Sequence, residues 1–517
     1  MPDIRRISLP DYLAAGILLL YIILGSLLVS DYGVNWDDDA QRKNGVANWQ
    51  FIHGDRGPLM ATTDKYHGPA WEIPMISAEK ALHLTEYRDI ILLRHRMSFL
   101  LYALGTGIFF LFCRKLFDSS WLGLAGFLML VLSPRIFGEG FYNPKDTIFL
   151  VAIAAAIYSL LLLVTRPSWP HIFFHAWITA FMTDIRVIGI IFIPITLVLV
   201  AILLFQNKID RKALAIKLLV YLVSNFLLMI AMWPVLITGP FYHLFHAYQQ
   251  LSGYVAWDGL NLYNGGCVSS LSTPWHYHYL WMALTLPELY LLLFAAGLVI
   301  FAVQVVKKKL ALNTQDLFIG LSLVLLAFPL VFRSIKGSVV YDGWRHVYFV
   351  YPFIVVLAVY TIDNLYRSRN IIIRYTTIAL VALSLSDSLV EIVRRHPFEY
   401  VYFNHVAHAI YHPVYTQFEM DYWGVGYKQA IQHLIYQYIS DGPVTVSFQH
   451  YPGYRNYDML SAEDKEKVIA TDSAHAQYYI TSYRDYDVCP DSYEQPGSPS
   501  HYIYSCGDRL YGIYRLR

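Results

Sequence analysis

Apolar runs of about 18 residues recur along this 517-residue sequence. A run of that length has one stable use, to cross a hydrocarbon core roughly 30 Å thick as a helix. Backbone inside lipid must satisfy its own hydrogen bonds, so repeated runs commit the chain to a bundle of spanning helices. Windows of about 19 residues place runs at Tyr12 to Val29, Met97 to Phe112, Trp121 to Phe137, Thr147 to Val164, Leu214 to Ile237, Tyr279 to Val306, Leu317 to Phe332, Val347 to Ile362 and Ile371 to Leu389. The stretch Ile172 to Phe205 is interrupted and reads as a hairpin of two short helices, which makes about eleven crossings. Charged residues are 15% of the chain, against roughly a quarter in soluble domains, which excludes an ordinary soluble enzyme. With 39 Lys plus Arg against 38 Asp plus Glu, the net charge of +1 gives no support for a nucleic-acid partner.

Basic residues in short loops orient such a bundle. Arg5 and Arg6, Arg114 and Lys115, Arg166, the Lys208, Arg211 and Lys212 cluster, Lys307 to Lys309, and Arg367, Arg369 and Arg374 share one side if the hairpin reading holds. That side, and the N-terminus with it, is cytoplasmic. One long helix over Ile172 to Phe205 would instead carry Lys307 to Lys309 outside. The first run follows Arg5 and Arg6 as a signal peptide would, but no A-x-A-like cleavage site precedes Asp31, so it reads as a retained span. The outward segments are then Asp31 to about Arg96, Pro134 to Asp146, Thr238 to His278, Arg333 to Arg345, and everything after about Val390. Within the first, Pro74 to Leu93 has apolar residues at helical spacing between Glu79, Lys80, Arg88 and Asp89, and reads as an amphipathic helix in the membrane interface. Residues 391–517 lose the apolar runs and read as a small α/β domain, with a helix at Tyr427 to Ile439 and strands at "VTVSF", "AQYYITSY" and "LYGIYRL". None of the four cysteines has the close spacing of a zinc site. A disulfide between Cys489 and Cys506 would close the loop between them on the outward side.

The sharpest chemical feature is "NWDDDAQR", which sets Asp37, Asp38 and Asp39 just beyond the first span. Adjacent carboxylates repel, so such a turn suits a general base or a metal site; a solvated acidic turn is the alternative. A second cluster, "SPRIFGEGFYNPKD", carries Arg135, Glu139, Tyr142, Asn143, Lys145 and Asp146, with Asp146 at a predicted helix N-terminus. Lys145 pairs with a carboxylate or holds a phosphate, and Asp146 caps its helix or supplies a second acid. The hairpin turn holds Asp184 and Arg186, charges that need a partner or a polar cavity at that depth. In "YDGWRHVYF", Asp342, Arg345 and His346 stand at the mouth of a span. Arg345 either snorkels to headgroups or grips a phosphate with its planar fork. His405, His408 and His412 have helical ligand spacing, which more often means surface packing than a metal. The aromatic loop "QLSGYVAWDGLNLYNGG" reads as mobile and compatible with a lid. No P-loop, GxGxxG, HExxH or GxSxG motif is present, which leaves soluble-nucleotide chemistry and the commoner hydrolases without support.

A first outward loop that opens "WDDDAQR", continues through "YHGPAWE", and is followed by "SPRIFGEGFYNPKD" between later spans resembles the GT-C glycosyltransferases. Within them it is similar to the protein O-mannosyltransferase and lipid A aminoarabinose transferase family, especially its bacterial members. The likeness covers the first 240 residues best; "GWRHVYFVYP", "HPFEYVYFN" and "DYWGVGYKQA" extend it. The resemblance implies a GT-C-like polytopic fold in an inner (plasma) membrane. It implies transfer of a sugar from a polyprenyl-phosphate donor to a protein, lipid or glycan acceptor on the extracytoplasmic face. That family opens its first loop with a pair, usually Asp-Glu, whose Asp is the proposed base. The matching pair here is Asp37-Asp38, and Asp39 leaves the register uncertain by one, so Asp37 is expected to be the base with Asp38 next. Asp146 matches a second acidic position, Lys145, Arg186 and Arg345 are carrier-phosphate candidates, and His346 and Tyr142 are expected to bind substrate or phosphate beside them. A nucleotide site is unnecessary, and a divalent cation is left open, with Asp37, Asp38 and Asp39 its available oxygen ligands. The competing readings are a transporter, which the absence of an internal repeat disfavours, and a polysaccharide polymerase or ligase.

Overall fold

The computed structural model of the chain describes residues 7–206, 211–252, 257–307, 313–438, 442–484 and 497–517. Arg5, Arg6, Lys208, Lys308, Lys309, Ile439 and Cys489, used above, lie outside them. Eight helices among the described residues are long and apolar enough to cross a membrane: Leu9–Asp31, Tyr87–Leu116, Asp146–Thr165, Lys212–Met232, Glu288–Val306, Thr314–Lys336, Arg345–Tyr366 and Ile371–Arg395. A ninth is bent by 68° between Ser120–Val131 and Pro134–Tyr142. Its break falls at Ser133, held extended before Pro134, which has no N–H to give to a continuing helix. The interrupted pair forms Trp169–Ile185 and Phe192–Gln206, of 17 and 15 residues. Each is shorter than the ~20 residues of a full span. Against the expected eleven crossings, eight helices among the described residues, or nine with the bent pair, are long and apolar enough to span.

Burial ranks these helices. The most apolar stretches of Asp146–Thr165 and Arg345–Tyr366 are 83% and 89% buried, whereas those of Leu9–Asp31, Lys212–Met232 and Ile371–Arg395 are each 22% buried. The first two are therefore the centre of the bundle, and the other three offer their sides to lipid. The short pair is fastened by polar contacts that water cannot replace at that depth. His175 lies 2.7 Å from the Ser159 hydroxyl and 2.8 Å from that of Thr196, and its ring stacks on Tyr221. Such interhelical bonds substitute for the hydrophobic drive that lipid removes.

The stretch Pro74 to Leu93 is not one interfacial helix. Glu72–Ala81 is helical, His83 turns the chain at φ +52°, and Tyr87 starts a 30-residue helix. One of the interleaved charges, Glu79, is bound inside the protein rather than offered to headgroups. Arg94 pairs with Glu72 and, at 3.2 Å, with Glu79, which also accepts from Arg42 at 3.0 Å. The loop read as mobile is in part a hairpin, Leu260–Tyr263 against Gly266–Ser269, turned by Asn264 and Gly265. Both turn residues have positive φ, the geometry an Asn-Gly pair supplies. Cys267 is disulfide-bonded, while Cys506 is a free, exposed thiol. The expected bridge between Cys489 and Cys506 is therefore not formed.

Beyond the last span, the predicted α/β segment folds as expected. Val468–Ala470, Val444–Phe448, Tyr478–Thr481, Asp508–Arg515 and His501–Ser505 lie side by side in that order, the first three parallel and the rest antiparallel. Tyr427–Tyr438 packs on the sheet against the largely buried strand Asp508–Arg515, with Tyr427 edge-on to Tyr511 at 4.8 Å. The link between span and sheet is clamped by His396, which bonds Glu399 at 2.7 Å and Asp31 at 3.0 Å. Burial opposes its charge, but the two carboxylates outweigh burial and raise its pKa to about 9. A raised histidine stabilises the fold fully below its unfolded pKa of about 6.5 and loses that contribution as pH climbs through the folded value. Thermal unfolding in detergent should therefore fall between pH 7 and pH 10, and His396→Gln should remove that part of the slope.

Candidate active site at the ends of the central helices

The acidic triplet starts the helix Asp38–Ile52, and helical rotation sends its three side chains different ways. Asn35 sets the turn: its Oδ1 accepts from the N–H of Asp37 at 2.7 Å and of Asp38 at 3.1 Å, while its Nδ2 donates to the Tyr142 carbonyl at 2.7 Å. Asp38 is 1% exposed, bonded to the Asn35 N–H and 3.4 Å from His95 Nε2. Asp39 faces the C-terminal sheet domain, held by Arg455 at 2.6 Å, by Tyr87 at 3.2 Å and by the Tyr451 hydroxyl. Burial would raise the Asp39 pKa, but the bonds from Arg455 and Tyr451 outweigh it and lower it. Only Asp37 is open, with a side chain 39% exposed. The three carboxylates thus do not form one ligand set, and among the described residues no group of three or more His, Cys, Asp or Glu could hold a metal ion. His405 and His408 likewise turn to separate partners, Glu288 and Asp508.

Asp37 meets the cations expected of it. Arg345 Nη1 lies 3.3 Å from Asp37 and 3.6 Å from Asp146, and Arg345 Nη2 lies 3.1 Å from Asp342. Asp146 in turn pairs with Arg186. Asp146 begins one central helix, Arg345 begins the other, and Arg186 caps the end of Trp169–Ile185. Residues from four distant parts of the sequence therefore converge at one end of the bundle. The Arg345 guanidinium also lies over the rings of Trp423, at 4.5 Å, and Tyr341, at 5.0 Å. Both planes fix its orientation. Lys145 caps the same helix as Asp146 and is bonded through its backbone N–H to Asn143. Burial first, and the Arg186 charge second, lower its pKa to about 8. The same two kinds of cause bring Arg186 down to about 10, burial first and Arg345 next. Two cations this close, with Asp146 the only carboxylate paired to Arg186 among the described residues, suit an anion site.

Two expected residues sit apart from the ion pairs. His346 packs its ring edge-on against Tyr341 at 4.7 Å, with Nδ1 buried and unpartnered. The Tyr142 hydroxyl is buried without a partner among the rings of Tyr32, Tyr400 and Trp423, and it is the Tyr142 carbonyl that serves the site, through Asn35.

Sequence reasoning missed several contributors. His67, inside "YHGPAWE", has its pKa lowered by the Lys145 charge first and by burial second, which keeps the imidazole neutral near pH 7. Asp184, which the sequence marks in the hairpin turn as a charge in need of a partner, accepts from the Ala70 N–H at 3.3 Å. At Gly68 a Cβ would overlap the Asp184 backbone and carboxylate, so only glycine lets this loop close on the hairpin turn. Asn456 and Arg484 come from the far end of the chain, where no local pattern marks them, and Trp423 lies within "DYWGVGYKQA", a motif that assigns it no role by itself.

Comparison with solved structures gives a match to the crystal structure of ArnT from Cupriavidus metallidurans bound to undecaprenyl phosphate. It has a TM-score of 0.50 and 12% identity, and covers 97% of each chain. The chain has the GT-C fold. The apo state of that ArnT aligns over 98% of this chain and 99% of its own at 12% identity, TM-score 0.47. The apo oligosaccharyltransferase of Archaeoglobus fulgidus aligns over 89% and 65% at 10% identity, TM-score 0.44. By sequence, no family model and no curated protein matches the chain. The GT-C likeness is thus one of architecture, and the chemistry rests on the residues above.

Proposed function

We propose that this protein is an integral-membrane glycosyltransferase that moves a sugar from a polyprenyl-phosphate donor to a hydroxyl-bearing or amine-bearing acceptor, with Asp37 as general base. One observation carries the reading: the open carboxylate of Asp37 heads a line of alternating charges, Asp37, Arg345, Asp146 and Arg186, with Lys145 beside it. The acceptor X–H gives its proton to Asp37 as its oxygen or nitrogen bonds to the anomeric carbon. The bond from that carbon to the phosphate oxygen breaks, and its electron pair leaves on the phosphate, held by Arg345, Lys145 and Arg186. A lipid that brings its own leaving group removes the need for a nucleotide site. Its apolar tail is compatible with the space between spans, as the undecaprenyl phosphate named in the ArnT structure would suggest for a shared fold. The extracytoplasmic face of a bacterial inner membrane is the side we assign, from the basic loops.

Single displacement inverts the anomeric centre. Product analysis with a polyprenyl-phosphate sugar should give the inverted linkage; a retained linkage would reject direct attack. Lys145 gives a second test. With a pKa of about 8 in the free protein, it is cationic below that pH and loses its charge above it. The donor is a phosphodiester with a fixed charge in this range, so kcat/KM should decline above about pH 8. Lys145→Arg should move that decline beyond pH 10, and a limb unchanged in Lys145→Arg would exclude Lys145 as its source.

A further inference from the structure

Besides the Trp423 ring over Arg345 and the Arg455 pair with Asp39, the sheet domain beyond the last span reaches the site through two chains of polar contacts. On one side, the Arg345 guanidinium is steered by Asp342, a residue at φ +57° whose carboxylate bridges two arginines. One oxygen takes Arg345 at 3.1 Å and the other takes Arg484 at 2.5 Å. Arg484 is itself fixed by the Tyr422 carbonyl and by Glu419 at 3.7 Å, and it lies over the Trp257 ring at 5.5 Å. On the other side, the turn that carries Asp37 is held by the amide of Asn456, which is 0% exposed. Asn456 Oδ1 accepts from the Val34 N–H at 2.9 Å, and Nδ2 donates to the Val34 carbonyl at 2.9 Å and to the carbonyls of Gly424 and Pro452. Gly33 approaches Asn456 and the Val425 carbonyl too closely for any Cβ. One residue past Val34, Asn35 captures the N–H groups of Asp37 and Asp38. Two chains of contact therefore run from the sheet domain, one to the proposed base and one to the proposed phosphate ligand.

We propose that Arg484 and Asn456 are positioning residues, by which the sheet domain sets the relative placement of Asp37 and Arg345. This rests on the transferase reading above. General-base transfer depends on near-attack geometry, and a misplacement of about 1 Å from a distant change costs on the order of a hundredfold. Ordinary docking of the domain is a different matter and has its own clamp in His396, which makes no contact with either chain.

The experiment compares Arg484→Gln, Asn456→Asp, Asp342→Asn and His396→Gln in the full-length detergent-solubilised protein, with a synthetic polyprenyl-phosphate sugar as donor. Arg484→Gln should raise the donor KM about tenfold, and the double variant Arg484→Gln/Asp342→Asn should cost no more than the larger single change, because the two act through one contact. Asn456→Asp keeps the acceptor for Val34 N–H and loses the donors. It should lower kcat about tenfold to a hundredfold and displace the acidic limb of the pH-rate profile, since that limb reports the base. His396→Gln should lower the thermal midpoint while kcat, KM and the limb stay within twofold. If folded Arg484→Gln and Asn456→Asp have wild-type KM, kcat and pH limb, or if they fall only in parallel with thermal midpoint as His396→Gln does, the positioning role is wrong. Asp37→Asn measured alongside separates this from the parent reading. An inactive Asp37→Asn with normal Arg484→Gln and Asn456→Asp overturns the positioning role alone, whereas a fully active Asp37→Asn overturns both.

Discussion

Asp37→Asn is expected to lower kcat by about a hundredfold to ten-thousandfold, the usual contribution of a positioned base, while leaving donor KM unchanged or slightly lower. The split follows from the contacts. Asp37 caps the helix Asp38–Ile52 without a side-chain bond to its N-terminus, so an isosteric amide removes no cap. Arg345 keeps Asp146 at 3.6 Å and Asp342 at 3.1 Å, and loses only the carboxylate that would compete with an incoming phosphate. Binding should therefore survive and proton removal should not. Steady-state kinetics with saturating donor measure both. The same exchange at Asp39 should behave differently, because Asp39 is tied to Arg455 and Tyr451; its loss should appear first in thermal stability.

Arg94→Met is expected to cost the most stability of any single change, about 3–5 kcal/mol, because it strands two buried carboxylates. Arg94 is 2% exposed, with Glu72 and Glu79 on either side of its guanidinium. Arg42 reaches only Glu79, and its side chain is 34% exposed, so it cannot neutralise both. The loss should be read as a lowered thermal midpoint in detergent. The triple change Arg94→Met, Glu72→Gln and Glu79→Gln should recover most of it, since it removes the stranded charges together with their partner. A single variant as stable as the parent would mean that the charges are solvated.

The spans were legible because length in the apolar runs is a direct physical requirement of the bilayer, and the strands of the sheet domain because alternation and β-branched residues survive in short segments. The interfacial reading of Pro74 to Leu93 failed for a reason that periodicity cannot carry. Its charges are spaced as a solvated face would be, but Glu79 is taken up by Arg94 and Arg42, and the chain turns at His83. The cluster of Asp37, Asp146, Arg186 and Arg345 was legible in its members, since ionisable residues at span ends are few. Which of three adjacent aspartates stays open was not. Asp39 is withdrawn by an arginine 416 residues away, and Asp38 by a histidine 57 residues away. Long-range partners of this kind leave no trace in the local sequence, and Arg484 and Asn456 escaped notice for the same reason.

The most direct test of the central claim is to locate the phosphorus of a polyprenyl phosphate bound to the full-length protein, by crystallography or cryo-electron microscopy. The account predicts phosphate oxygens within hydrogen-bond distance, about 3 Å, of Arg345 and of Lys145 or Arg186, with the Asp37 carboxylate open to the space in front of the phosphate that the anomeric carbon and acceptor would occupy. A phosphate bound at the opposite end of the bundle, or at the same end with Asp37 turned away and Arg345 still closed on its three carboxylates, would contradict it.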